Sequence, residues 1–443
     1  MKQFYRLFTA VFLLLCLMPL AGMLFLDAQE AAGNQVLAAA PSLTERDGSW
    51  NEAFLSDVSD FVSDRFAFRQ ELLTLRARLT ASVFGESATE QVILGREGWL
   101  FYADTLPDYE GTAPLSERQL FAAARTLALV QEYAETRGAA FLFTVAPNKN
   151  TLYPAYMPSR YEKTTQPSNW TRLMAQLDAQ GVAYVDLLPV LAACDVPVYY
   201  RTDSHWNDYG AALASDAILE ALGGAGTLAQ EPFTASTHLG DLCEMLYPAG
   251  AAAETCPVLA RERTFSHVGA FRSPEDMTIR TESSGDFGSL LMFRDSFGNN
   301  LYAHLAEAFS ACCFSRAMPL NLTMLAEEGA DTLLFELVER NFSWLISKPP
   351  VMEAPIREAV AAEAAGEAAV EVNQSALENL CCYEGSIAAL DVDSPIYLSL
   401  DGTFYEATPA GTGENPFTLY APPANTVELF YRLDGIWHSI TAA

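Results

Sequence analysis

The sequence predicts an α/β fold: a parallel sheet with helices on both faces, preceded by one membrane-spanning helix and followed by a small β-rich appendage. Three observations predict it. Helical segments alternate with short, largely apolar, non-alternating runs, such as 139–145, 290–293 and 332–338. Strands that are apolar on both sides belong to sheets covered on both faces. An uncharged run over 7–26 opens the chain, and from residue 390 on the pattern changes to strand-like runs between Gly and Pro turns.

Composition bounds the possibilities. The 443 residues carry 26 Lys+Arg against 56 Asp+Glu, a formal net charge of −30. Half of the residues are hydrophobic, enough for a sizeable core, and this excludes global disorder. The charge excludes sequence-independent nucleic-acid binding, which needs clustered Lys and Arg. It also argues against adhesion of the folded body to an anionic bilayer, and suits a neutral glycan better than a polyanionic one.

Taken in order, residues 1–26 read as an anchor or signal. Lys2 and Arg6 precede the apolar run, while Asp27 and Glu30 follow it. Twenty residues at about 1.5 Å each span about 30 Å, the thickness of the hydrocarbon layer. The positive-inside rule places the N-terminus in the cytoplasm and the body outside. The small-residue site at 38–40 lies far past the run, and the run exceeds the usual signal core of about 7–15 residues. An uncleaved single-pass anchor in the cell membrane is therefore expected, with an extracytoplasmic body. Residues 27–50 read as a linker.

A domain over 51–350 follows. Phe54, Val58, Phe61, Val62, Leu72, Leu75 and Leu79 recur at helical spacing over 51–83. Residues 92–102 read as a hairpin turning at Arg96, Glu97 and Gly98. Helices at 116–137 and 170–180 lead into strands at 139–145 and 182–186, and a third helix covers 208–222. The strand 290–293, a helix at 299–309, and strands at 311–314 and 332–338 complete the alternation. Residues 223–288 interrupt it as an insertion that could border a site. The Ala/Glu-rich stretch within 351–389 predicts a helical linker, with Pro355 suited to its first position. Residues 390–443 form the β-rich appendage. Cys243 and Cys256 flank a short Ala/Pro-rich loop and could close a disulfide, whereas the doublets Cys312-Cys313 and Cys381-Cys382 lack zinc-site spacing.

In parallel sheets the site lies at the carboxyl ends of strands. Three segments place polar groups there. In Tyr200-Arg-Thr-Asp203-Ser-His205-Trp-Asn207, alternation puts Asp203 and His205 on one side and Ser204 on the other. A carboxylate beside an imidazole fixes its tautomer and stabilises its charged form. Helix capping accounts for Asn207 and Asp208 but not for the His-Trp pair. In Leu290-Leu-Met-Phe-Arg-Asp295-Ser296, a strand ends, Ser296 occupies the turn and a helix begins. That arrangement presents a nucleophile, although Ser is also a favoured cap. In Phe143-Thr-Val-Ala-Pro147-Asn148-Lys149, Asn148 is a candidate oxyanion donor, and Lys149 and Tyr153 are candidates to line the pocket or hold the loop. The remaining histidines, His238, His267, His304 and His438, show no ligand spacing. Neither a phosphate loop nor a dinucleotide fingerprint is present, so no metal or organic cofactor is expected.

These residues resemble a known family: the SGNH-hydrolase-like proteins of polysaccharide O-acetylation, of the AlgX/AlgJ type, and their Gram-positive relatives named for a DHHW motif. The similarity rests on Asp64-Arg-Phe-Ala-Phe-Arg69, Gly95-Arg-Glu-Gly-Trp-Leu-Phe-Tyr102, Pro147-Asn-Lys149, Thr202-Asp-Ser-His-Trp206, Gly240-Asp-Leu242, Asp295-Ser-Phe297 and Glu339-Arg-Asn341, in order over about 50–345. The resemblance implies an SGNH-hydrolase-like, flavodoxin-like three-layer sandwich with a triad of Ser296, His205 and Asp203. It implies O-acetyl transfer to a cell-surface polysaccharide, with a membrane-bound O-acyltransferase as acetyl supplier. Two positions depart from the pattern. Ser204 replaces the first His of DHHW, and Arg294 stands where Gly precedes Asp-Ser, which changes the charge of the pocket. A carbohydrate acetyl-esterase with the same triad, and a non-catalytic glycan-binding or assembly protein on the same scaffold, remain open alternatives.

Overall fold

The structure, a computed structural model, describes residues 2–25, 37–368, 370–374, 377, 379–410 and 413–442. Two short strands, β1 (Val92–Leu94) and β2 (Leu100–Tyr102), form the expected hairpin. Then come β3 (Ala140–Ala146) and β4 (Tyr184–Asp186), the hairpin β5 (Phe233–His238) and β6 (Glu254–Leu259), and β7 (Ser266–His267), β8 (Thr278–Glu282), β9 (Ser289–Phe293), β10 (Ala311–Ser315) and β11 (Thr332–Val338). Seven of these make one sheet in the order β4-β3-β11-β9-β10-β8-β7. The first five in that order pair in parallel, and β8 and β7 join antiparallel at the edge.

The three layers follow from the residues. Every residue of β11 is buried. Leu333, Phe335 and Leu337 pack on one face with the helices Glu117–Glu135 and Asn169–Gln180, while Leu334 and Val338 pack on the other with Asp208–Ala221 and Gly298–Ala308. That is the two-residue period of a strand buried on both sides. Ser116 and Gln119 close a capping box at the start of the Glu117–Glu135 helix. The insertion is ordered: it supplies β5 and β6, a short helix Asp241–Leu246, and the two antiparallel edge strands.

Several expectations are corrected. The helix expected over 51–83 is two helices, Phe54–Arg65 and Arg69–Phe84, broken where Phe68 adopts φ +65. Cys243 and Cys256 are free thiols; their sulfurs turn to the carbonyls of Ala252 and Ser236. The helical linker expected within 351–389 is instead strand, at Ile356–Arg357, Glu363–Ala368, Val370–Gln374 and Cys381–Ser386. Tertiary pairing overrides the helix propensity of Ala and Glu there. The strand at Glu363–Ala368 lies parallel to Ile436–Ala442, and Val370–Gln374 pairs with Cys381–Ser386.

These strands join the C-terminal ones in two sheets of six and four strands, with Ile396, Leu398, Phe417, Leu419 and Leu429 buried in a shared core. This β-rich body is tied to the Glu117–Glu135 helix. The fully buried carboxylate of Glu406 accepts from Arg125 at 2.6 Å and from Arg357 at 2.6 Å, and Arg357 reaches on to Glu132. At the other end, the helix Lys2–Phe25 contains a stretch, Gln3–Met23, long and apolar enough to cross a membrane. The linker expected over 27–50 lies outside the described residues up to 36.

Candidate active site

The carboxyl ends of β3, β11 and β9 lie side by side at one end of the sheet. Asp295 fixes the turn after β9. One of its oxygens accepts the Phe297 N–H at 2.9 Å, and the other accepts the Val338 N–H at 2.8 Å and the Asn341 amide at 2.9 Å. Ser296 makes no cap bond; Phe297 takes the cap position of the following helix without a side-chain bond. The Ser296 Oγ lies instead 2.9 Å from Nε2 of His205.

His205 belongs to a bend rather than a strand. Tyr199 and Trp206 bridge its ends, and the Tyr200 N–H donates to the His205 carbonyl at 3.2 Å. Trp206, fully buried, donates to the Phe297 carbonyl at 3.0 Å, and Asn300 donates back to the Trp206 carbonyl at 2.8 Å. The imidazole segment is thereby bolted to the Ser296 turn. Asn207 also caps the Asp208–Ala221 helix, accepting from the Gly210 N–H at 2.9 Å. The segment therefore both caps this helix and brings the imidazole to Ser296.

Asp203 accepts four hydrogen bonds on two oxygens. Oδ1 takes the His205 N–H at 2.9 Å and His205 Nδ1 at 2.7 Å; Oδ2 takes His238 Nε2 at 2.8 Å and the Asp241 N–H at 3.1 Å. Burial alone would raise its pKa, but the charge and hydrogen bond of His205, with the bond from His238, hold it well below the usual carboxylate value. Burial by itself would lower the His205 pKa; the Asp203 charge and hydrogen bond outweigh it, and the value is raised above 6.5. With Nδ1–H donated to Asp203, Nε2 is left to accept from Ser296.

His238 and Asp241 come from the insertion and have no signal in the linear sequence beyond the Gly240-Asp-Leu242 motif. Gly240 is needed because a Cβ there would lie 2.3 Å from the Thr202 carbonyl oxygen. The Tyr200 ring stacks on His238 with centroids 3.8 Å apart. Asp241 accepts from the Ser204 N–H at 2.8 Å and the Ser204 hydroxyl at 2.6 Å, and its Oδ2 lies 3.6 Å from His205 Nδ1. Ser204 was expected to face away from the ring. In the bend its Oγ lies 3.2 Å from Nδ1, because strand alternation does not apply there. Burial, then the nearby Asp203 charge, raises the Asp241 pKa. One ligand atom each from Asp203, His205 and Asp241 lies within 4.8 Å of the others. Those atoms already serve one another and Ser204, so the set is spent on hydrogen bonds rather than arranged for a cation.

The other expected site residues lie behind this centre. The amide of Asn148, fully buried, donates to Asp108 at 3.1 Å, and its N–H donates to Glu339 at 3.0 Å. Lys149 is buried, with Nζ 2.6, 2.8 and 2.9 Å from the carbonyls of Leu100, Arg201 and Asp203. Burial pulls its pKa down to about 7, yet only the ammonium has three N–H groups for three carbonyls. Tyr153 accepts from the Val198 N–H at 2.8 Å and packs on Trp99. Lys149 and Tyr153 thus hold loops. Arg294 lies beside the Ser296 turn, donating to Asn299 Oδ1 at 2.5 Å and to the Pro274 carbonyl at 2.7 Å. A cleft of about 660 Å³ opens over Ser296, His205, Asp203, His238, Asn299 and Arg340, a size typical of ligand pockets.

Residues 92–276 match the family described as "SGNH hydrolase-like domain, acetyltransferase AlgX". The chain is 26% identical over 194 residues to the probable alginate O-acetylase AlgJ of Pseudomonas syringae pv. tomato, covering 43% of this chain and 46% of that protein. It spans about half the length of the curated relatives it matches. Among solved structures, the O-acetyltransferase domain of Pseudomonas putida AlgJ is 18% identical, with 57% of this chain and 92% of that chain covered and a TM-score of 0.36. A DHHW family protein from Eubacterium siraeum is 18% identical, covering 50% and 85%, also with a TM-score of 0.36.

Proposed function

We propose, for a chain that belongs to the AlgX/AlgJ-like family of SGNH hydrolase-like proteins, that it is an O-acetyltransferase acting on a cell-surface polysaccharide. It would be held outside the cell by the helix Lys2–Phe25 and supplied by a membrane-bound O-acyltransferase. The observation that carries the reading is the contiguous hydrogen-bonded series Ser296 Oγ, His205 Nε2, His205 Nδ1 and Asp203 Oδ1, at 2.9 and 2.7 Å. In this reading Ser296 Oγ attacks the carbonyl carbon of an acetyl donor. Its proton passes to His205 Nε2 and on to the leaving group as the donor's acyl bond breaks. A sugar hydroxyl then gives its proton to His205 and bonds to the acyl carbon. The Ser–acyl bond breaks, and the proton returns to Oγ.

The developing oxyanion needs N–H donors aimed at it. Asn148, turned toward Asp108, does not reach the cleft. Asn299 lines the cleft, and its carbonyl oxygen is held by the Arg294 guanidinium, so its NH2 is the group left over. The departure at Arg294 thereby gains a purpose: a guanidinium can only donate, so its bond to Asn299 Oδ1 leaves the NH2 of a cleft-lining amide as the candidate donor.

The test is a mass measurement on the full chain after incubation with 4-nitrophenyl acetate. An acetyl adduct on Ser296 that disappears in Ser296→Ala and falls by at least a hundredfold in rate in His205→Ala is expected. Absence of label on Ser296 under every condition would favour the non-catalytic scaffold. Label that water removes as fast in the presence of acceptor glycan as in its absence would favour the esterase.

A further inference from the structure

We propose that Glu336 is a positioning residue of this site: it is held as a neutral acid whose O–H donates to the Asp295 carboxylate, and this buried proton keeps the Ser296 turn in register with His205. The proposal rests on the reading of Ser296 as the acyl carrier. Strand β11 runs between β3 and β9, and all of its residues are buried. Glu336 is the one ionisable residue in it, and it is fully excluded from solvent. By the two-residue period it shares a face with Leu334 and Val338. Its Oε2 accepts the Asp295 N–H at 3.3 Å, and its Oε1 meets no N–H or O–H donor among the described residues. Around it stand Asp295 and Arg294 from the turn after β9 and Tyr199 from the bend, while β3 opposes it with the uncharged Thr144.

Those surroundings do not suit a charge. Burying an unpaired carboxylate is so costly that the group takes up a proton instead. Elsewhere this chain holds its buried carboxylates between cationic or N–H partners: Glu406 between Arg125 and Arg357, and Asp203 between His205 and His238. Glu336 forms no ion pair among the described residues. The terminal N–H groups of the nearby Arg294 go to Asn299 and to the carbonyls of Pro274 and Asp276. A neutral Glu336 satisfies both carboxyl groups. A carboxylate offers about four acceptor sites. On Asp295 the N–H groups of Phe297 and Val338 and the amide of Asn341 fill three of them. The Glu336 O–H fills the fourth, as a side-chain hydrogen bond between the two carboxyl groups. Burial, then the Asp295 charge, pushes the Glu336 pKa well above its ordinary 4.5. The same Asp295 bonds set the turn that carries Ser296, so loss of the proton sets two carboxylates against each other and releases the turn. Tyr199 does not supply the proton: its hydroxyl is bound to the Pro147 carbonyl at 2.6 Å, and burial raises its pKa well above 10.

Infrared difference spectra of the full chain against Glu336→Gln test the proton directly, and a protonated-carboxyl band that the substitution removes is expected. Stability gives a second reading. The unfolded carboxyl ionises near 4.5 while the folded one stays neutral, so unfolding is increasingly favoured as pH rises between the two values. Relative to Glu336→Gln, the unfolding constant of the unsubstituted chain should grow about tenfold per pH unit from about pH 5 to 7. Acylation of Ser296 by 4-nitrophenyl acetate reads the positioning. Glu336→Leu should slow it at least tenfold without changing the ester KM, and Glu336→Gln, which keeps an N–H donor, should restore most of the rate. The unsubstituted chain should lose rate on the alkaline side as Glu336 ionises, and Glu336→Gln should not. A missing band with a pH-independent stability difference, or equal slowing in the Gln and Leu variants, overturns the proposal. If the unsubstituted chain itself takes no acetyl, the acyl-transfer reading fails, and the proton on Glu336 stands or falls on the band and the unfolding difference alone.

Discussion

Asp203 is the residue on which the site turns, because its two oxygens serve two histidines. If His205 is the base, only its neutral form accepts the Ser296 proton. A raised pKa keeps the ring charged to higher pH. The acid limb of kcat/KM is therefore expected above pH 6.5, rising with pH, and a profile measured with a small ester checks it. Asp203→Asn removes the cause and should move that limb downward as activity falls. His238 supports the other Asp203 oxygen at 2.8 Å without touching Ser296. A hydrogen bond to a charged group contributes about 1.5–3 kcal/mol, so His238→Ala should lower kcat about tenfold or more while leaving the ester KM unchanged. His238→Gln, which keeps an N–H donor, should recover most of the rate. Equal loss in both variants would argue against a positioning role. His238 was illegible in the sequence because a lone histidine inside an irregular insertion carries no spacing. Asp203, His205 and Ser296 were legible because each interrupts an apolar pattern at a strand end or helix start.

At the scale of elements, strands betrayed themselves wherever both faces were apolar. β11 falls at Thr332–Val338, where Leu333, Leu334, Phe335, Leu337 and Val338 supply apolar side chains to both faces of the sheet. The Glu363–Ala368 strand was illegible for the opposite reason: Ala and Glu favour helix, and only its neighbour Ile436–Ala442 makes it extended. The same limit explains Ser204, where a bend replaced the alternation of a strand. The attachment of the β-rich body rests on a short chain of charges. Glu406 is fully buried between Arg125 and Arg357. Removing one partner of a buried pair costs about 3–5 kcal/mol. Glu406→Gln should therefore split thermal unfolding into two transitions, the β-rich body melting first. A single transition at an unchanged temperature would show that apolar packing alone joins the two parts.

Across the whole molecule, charge is arranged unevenly rather than merely accumulated. The net charge is −30, yet Arg294, Arg316, Arg340 and Lys348 line one cavity beside Ser296, and among the described residues none of them forms an ion pair. Composition does not show this grouping; only the fold brings the four side chains together.

The sheet order carries a further consequence, for the way the protein is made. β3 pairs with β11, and the bond from the Asn148 N–H to Glu339 at their ends spans 191 residues. A chain emerging N-terminus first must present β3, apolar on both faces, before its central partner exists. During that interval the unpaired edge is a sticking surface, and like charges along the rest of the chain keep neighbouring molecules apart. The acidity of the chain is thus also a safeguard for the unfinished molecule.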